Sequence, residues 1–281
     1  MLTAFLSTLT AAFFGSSDFL GGFASKRSPA VVVTTIVYGV GVGVFCVLVL
    51  LMRPTAITSA DVAWALGSGV AGTIGVLSLF SALAAGRMGI VAPLTAAIAG
   101  AGPATFDLIR GARVGVTPLV GLGLALVAVV VVSTIADPDD EHHTPRSAIA
   151  LSLLAGAGFA VSLVCLSFTG HASALAPLLI ARLTGFVILL AAVLARREHR
   201  ELAHVETLKI AVAAGVLDAC ANVTMLTAVR VGPMAVASVV GSLYPVATIL
   251  LARTVLRERL HRQQVVGGVI ALAAVVLTAL P

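Results

Sequence analysis

Few residues in this chain can do chemistry, and they stand where chemistry is costly. Asp18 lies inside an apolar stretch, within Gly15-Ser16-Ser17-Asp18-Phe19, and Asp218 lies near the middle of another. Asn222 follows Asp218 by one helical turn and shares its face, and Met225 continues that face. Arg182 sits about one turn into a third apolar stretch. Placing an ionisable side chain at the centre of a bilayer costs roughly 2.5–3.5 kcal/mol on insertion scales, so such groups mark candidate sites. A carboxylate at 218 can take up and release a proton, or it can make a structural hydrogen bond to a neighbouring helix. Gly15, Asp18 and Gly22 share a helix face, a small and polar stripe suited to close packing or to a cavity wall. Arg182 can hold an anionic group, pair with an acid, or snorkel to the headgroups. Tyr244 stands beside Pro245, whose missing N–H frees a backbone carbonyl and opens a place to line a site. Asp18, Asp218, Asn222, Arg182 and Tyr244 are therefore the candidate cavity residues.

The remaining polar residues point elsewhere. Asp107 and Arg110 share a face near a helix end and read as an interfacial ion pair. Gly158, Ser162, Cys165 and Thr169 make a mildly polar helical stripe, suited to packing or to a binding surface. Trp64 at a span start reads as an interface anchor. The histidines fall in loops or tips, including the adjacent pair His142-His143 in a polar linker, and form no catalytic or metal-binding constellation. The three cysteines, Cys46, Cys165 and Cys220, are scattered through apolar runs and give neither a metal motif nor a disulfide framework. No phosphate loop is present. We expect no enzyme, no cofactor, no metal and no nucleic-acid partner. The expected partners are a small-molecule substrate, a coupling proton and the lipid bilayer.

The elements that must position these residues are membrane helices. Of 281 residues, 59% are hydrophobic and 10% charged, against about 45–50% and about 25% in soluble domains. Mean hydropathy is +1.13. The apolar runs are long and lack period-two alternation, which excludes an outer-membrane barrel. The spacing predicts ten spans, at 3–25, 29–52, 62–84, 90–109, 116–135, 148–169, 175–195, 208–228, 232–252 and 263–280. The fold class is all-α and integral to the membrane.

The two halves echo each other. Arg87-Met88-Gly89 aligns with Arg230-Val231-Gly232, and in the same register Gly72 falls on Gly215 and Gly15 on Gly158. Pro103 corresponds to Pro245, and Gly121 to Gly267, after an insertion of about one helical turn in the second copy. Glu258 at that longer tip has no acidic counterpart in the first copy. We therefore expect a first five-helix repeat over 1–135, a polar linker over 136–147 and a second repeat over 148–281. Because each repeat has an odd number of spans, the second enters the membrane inverted. Inverted repeats are a transporter plan, with binding near the midplane where the repeats meet. The chain carries a net charge of +5. Most Lys and Arg cluster at one end of the spans, from Lys26 and Arg27 through Arg87, Arg146 and Lys209 to Arg257, whereas Arg53, Arg110, Arg113 and Arg230 lie at the other. The positive-inside rule then places both termini outside.

With this arrangement the chain resembles the drug/metabolite transporter superfamily, in particular its tandem five-plus-five EamA-type members. The last hairpin carries the resemblance: Ser242-Leu243-Tyr244-Pro245, then Glu258-Arg259-Leu260, then Gln264 and Gly267. The two Arg-x-Gly turns resemble the turn before the proline-bearing helix of each repeat. The resemblance implies a secondary transporter, often an exporter, of small metabolites such as amino acids or of drug-like compounds. The expected place is the cytoplasmic membrane and the expected mechanism is alternating access, coupled to a proton or another gradient, with a passive, uncoupled exchanger as the close variant. The alternative from another class is a non-transporting membrane scaffold or sensor. An intramembrane enzyme acting on lipids would need histidines and acids converging at the membrane edge, and these are scattered.

Overall fold

The computed structural model describes residues 2–52, 56–111, 144–173, 175–198, 205–231, 240–241, 243–257 and 262–279, with scattered helical positions between 116 and 131. The described helices are α1 (Leu2–Ser25), α2 (Ala30–Met52), α3 (Ser59–Ala85), α4 (Met88–Ile109), α5 (Arg146–Ser167), α6 (Ala176–Ala195), α7 (Val205–Val231), α8 (Tyr244–Val255) and α9 (Arg262–Ala279). No strand occurs among the described residues. The boundaries follow the predicted spans closely in the first four helices and in α5 to α7. Most of the expected linker, the hairpin tip at Glu258, and residues 232–239 of the expected ninth span lie outside the described residues.

Five helices, α2, α3, α5, α6 and the Val205–Met225 part of α7, are long and apolar enough to cross a membrane; shorter apolar stretches lie in α4, α8 and α9. The protein is a multi-pass membrane protein. α1 has 24 residues, about 36 Å at 1.5 Å per residue, ample for a hydrocarbon core of about 30 Å. Several of its hydroxyls are satisfied within the protein. Ser7 and Thr10 donate to the carbonyls one turn back, at 2.8 and 3.0 Å. Ser17 donates to the carbonyl of Ala214 in α7 at 2.8 Å, and the Thr10 and Thr224 hydroxyls meet at 2.8 Å. Such folding of hydroxyls onto backbone carbonyls recurs along α2, α3 and α7. It is how a helix carries Ser and Thr into a medium without water.

Lipid tails are as apolar as leucine, so these helices associate by close packing of small residues rather than by burying a greasy face. The strongest packing crosses between the halves of the chain: α1 on α7, α3 on α5, α4 on α5, α2 on α6 and α7, α3 on α6, and α1 on α8. Glycine sits at these crossings. A Cβ at Gly158 of α5 would lie 2.8 Å from the Ala71 carbonyl of α3, and one at Gly69 would lie 2.7 Å from the Ala181 carbonyl of α6. One at Gly215 of α7 would lie 2.8 Å from the Val40 side chain of α2. The expected stripe in α5 is used in this way: Ser162 hydrogen-bonds Ser68 at 2.8 Å, and Gly158 packs on α3.

The helix ends are tied across the halves as well. Thr58 and Asp61 form a reciprocal capping box at the start of α3. The other oxygen of Asp61 accepts from the Gly170 N–H, after α5, at 2.6 Å. At this end Trp64 stacks on Phe168 at 4.5 Å, and the Arg110 guanidinium lies over the Phe106 and Phe168 rings. Arg110 is thus held by aromatic faces; the side chain of Asp107, its expected partner, lies outside the described residues. At the opposite end Arg27 approaches Glu206 at 3.6 Å and Ser28 donates to Thr207 at 3.2 Å.

The two prolines behave differently. Pro103 lies within a continuous α4. Pro245 stands in the first turn of α8, where its missing N–H removes nothing, after a turn at Leu243. A turn at Leu243 therefore precedes the proline in the second half, whereas α4 runs through Pro103 without one.

Candidate functional site

α6 and α7 bring two of the rare charges together. The Arg182 guanidinium meets the Asp218 carboxylate at 2.6 Å, and both side chains retain only 13% of their exposure. Of the readings open to Arg182, pairing with an acid is the one realised. α2 completes the surroundings. The guanidinium lies 4.8 Å from the centroid of the Tyr38 ring, a cation–π arrangement. Tyr38 and Thr73 of α3 both pack against Gly185 of α6. Asn222 donates to the backbone carbonyl of Asp218 at 2.7 Å and reaches the Asp218 carboxylate at 3.5 Å, the limit of a useful bond.

Local sequence explains why these groups can meet. Gly185 leaves room for Tyr38 and Thr73 against α6. The Arg182 stem runs past Gly41 of α2, where a Cβ would be in ordinary contact with Arg182 Cδ at 3.6 Å, and Gly215 admits α7 to α2. A bulkier residue at Gly185 or Gly215 would hold the helices apart and lengthen the ion pair.

Asp18 and Tyr244 form a second corner. α1 is pressed onto the first turn of α8 at Gly15, where a Cβ would collide with the Tyr244 carbonyl. Thr248 donates to the Gly15 carbonyl at 3.0 Å. Phe14 lies edge-on to Tyr244, with ring centroids 6.3 Å apart. Gly22 approaches Leu83 and Met88, so the expected Gly15–Asp18–Gly22 stripe is the packing face of α1, with Asp18 set between its two glycine contacts. Asp18 is half-buried. Asp18 lies within electrostatic reach of Asp218 and of Tyr244, which links the two corners.

Asp218, Asn222 and Arg182 are thus assembled directly, and Asp18 and Tyr244 lie within electrostatic reach of them. Tyr38, Thr73 and Phe14 are additions that the spacing of charges does not reveal. Tyr38 has a signal: it is one of two tyrosines in the chain, set within a valine-rich run where its hydroxyl must find a partner. Phe14 precedes Asp18 by one turn and so shares its face. Among the described residues no three His, Cys, Asp or Glu converge as a metal site.

The arrangement is a desolvated, partly charge-balanced polar cluster between helices of both halves. No curated protein matches this chain. Residues 146–280 match the EamA-like transporter family.

Proposed function

We propose that this chain, a membrane transporter of the drug/metabolite superfamily by its EamA-like second half, is a proton-coupled secondary exporter of small metabolites or drug-like compounds in the cytoplasmic membrane. The two halves are inverted five-helix repeats that rock about a central site by alternating access. Asp18, Asp218, Asn222, Arg182 and Tyr244 line that site, and both termini face outward. The chain is not an enzyme.

The observation that carries the reading is the Arg182–Asp218 pair at 2.6 Å, facing Tyr38 of the other half and within electrostatic reach of Asp18. Charged groups inside a membrane bundle mark substrate paths and proton relays. The helix pairing supports the repeat plan. Exchanging α1 with α5, α2 with α6, α3 with α7 and α4 with α8 turns the α1–α7 contact into α5–α3. The same exchange turns α2–α7 into α6–α3 and α1–α8 into α5–α4, and all of these contacts occur. The lateral ties agree with the charge count: Arg27 meets Glu206 near Lys209 at one end, and Arg110 sits with Trp64 and Phe168 at the other.

Comparing metabolites released by an overexpressing strain with those of a deletion strain tests export. Uptake into proteoliposomes with and without a proton gradient then tests coupling. Asp218→Asn is expected to abolish coupled transport while the protein still inserts, because the released Arg182 then turns to the next carboxylate, Asp18. Transport at the wild-type rate by that variant would remove Asp218 from the mechanism.

A further inference from the structure

The kind of contact between helices, more than its extent, sorts them into two units that each draw on both halves. One unit is α1, α2, α7 and α8; the other is α5, α6, α3 and α4, and the exchange of equivalent helices carries one onto the other. Inside a unit, glycine lets backbone meet backbone. A Cβ at Gly15, Gly69, Gly156, Gly158 or Gly215 would lie 3.1 Å or less from a carbonyl oxygen of a neighbouring helix in the same unit. Between the units α2 packs on α6, and α1 on α3 and α4 on α8 more lightly. There glycine meets side chains instead: Gly21 the Phe80 ring, Gly22 the Leu83 side chain, Gly39 the Phe186 ring and Gly185 the Tyr38 ring. The hydrogen bonds between helices follow the same division. Ser17 donates to Ala214 and Thr10 meets Thr224 within one unit; Ser68 meets Ser162, and Thr95 donates to the Ser152 carbonyl at 3.3 Å, within the other. Arg182 and Asp218 depart from it. Their helices, α6 and α7, belong to different units and make little other contact. Yet the two side chains meet at 2.6 Å, and the guanidinium also lies over the Tyr38 ring of the opposite unit.

We infer that the Arg182–Asp218 pair is a strap that fastens two rigid cross-repeat units, and that opening it lets those units move against each other. This rests on the transporter reading above and refines its moving parts: the repeats supply the symmetry, and each body that rocks draws helices from both. Backbones brought together through glycine interlock along the crossing, and hydroxyl bonds between the helices fix their register. A ring lying over glycine sets no such register, so helices can slide past each other there, as in shear motions. A buried ion pair holds only while both members remain. Arg182 and Asp218 therefore fasten an interface that is otherwise side chain on glycine. A ligand that claims either member frees both units at once, which ties binding to movement.

The test uses the full chain in liposomes, with Cys46, Cys165 and Cys220 replaced by alanine and spin labels attached through cysteines at exposed positions towards one end of the bundle. The positions are Thr8 of α1, Ala60 of α3 and Ser167 of α5. Labels at 8 and 60 join the two units inside the first repeat; labels at 60 and 167 join the two repeats inside one unit. Pulsed electron resonance reads both distances with the pair intact and with Arg182→Met combined with Asp218→Leu, an apolar pair of similar size. The double variant should add a second, shifted 8–60 distance and leave the 60–167 distance as it was. Asp218→Asn, which keeps the size of the side chain, is measured in parallel and should show the same shift to a smaller extent. Size-exclusion elution checks that both variants fold. A changed 60–167 distance, alone or together with 8–60, would overturn the cross-repeat units. An 8–60 distance unchanged in both variants would overturn the role of the pair as a strap. No cargo enters the measurement, so its outcome is independent of whether the flux assays bear out the transporter reading.

Discussion

Two carboxylates lie in one core, and the protein treats them in opposite ways. Asp218 is held by a guanidinium at 2.6 Å, backed by a tyrosine ring and an asparagine. Asp18, on the helix packed beside it, meets no cation among the described residues and lies between Gly15 and Gly22 on the packing face of α1. The first corner is built as structure that also presents charge. The second leaves a half-buried acid with no counter-charge among the described residues. A buried ion pair holds helices in register only while both members remain, whereas a lone acid is available to whatever cation or proton arrives.

Breaking the first corner should produce the largest effect. Arg182→Ala leaves Asp218 buried and alone, a loss of about 3–5 kcal/mol for removing one member of a buried pair. Thermal unfolding in detergent should register it as a large fall in melting temperature. Arg182→Met combined with Asp218→Leu should recover most of that stability, since an apolar pair of similar size needs no partner, while transport stays lost. If the double variant melts as low as Arg182→Ala, the pair is not what the first corner depends on.

The second corner should yield to packing rather than to charge. Gly15→Leu would force α1 away from the first turn of α8, where a Cβ alone already meets that of Ala247 at 2.6 Å. Overpacking of this kind costs about 1–3 kcal/mol. It should also part Tyr244 from Phe14, seen as lost cargo flux in proteoliposomes whose Arg182–Asp218 pair is untouched. Undiminished flux would mean that the two rings do not line the site.

Much of this architecture is legible in the amino-acid sequence. α6 runs Ala176–Ala195 where the apolar run predicts 175–195, and Pro177 and Pro245 open their helices as a missing N–H requires. Asp218 and Asn222 can be placed on one face because their spacing along a helix fixes it. Which acid meets Arg182 cannot be read in this way. In a helix apolar on all sides the pattern has no inner and outer face, because lipid and protein interior are alike to it. The rotation and depth of each helix are set by where glycine lets backbones touch, as Gly215 does against Val37 and Val40, and those contacts join residues far apart in the chain. The same physics hides the place of Tyr38, although a phenol in a valine-rich run is a hint. Pro103 and Pro245 align, yet only one stands just after a turn, a difference that a shared residue type does not encode.

The contrast between the two acids is tested most directly by unfolding Asp18→Asn and Asp218→Asn side by side with the wild type and measuring proton-coupled flux in the same preparations. Asp18→Asn should melt within about 1 kcal/mol of wild type, because it removes no ion pair or hydrogen bond among the described residues, and should lose its flux. Asp218→Asn should melt well below both. If Asp18→Asn destabilises the protein as much as Asp218→Asn, or keeps its flux, Asp18 is a structural residue and the cargo binds elsewhere.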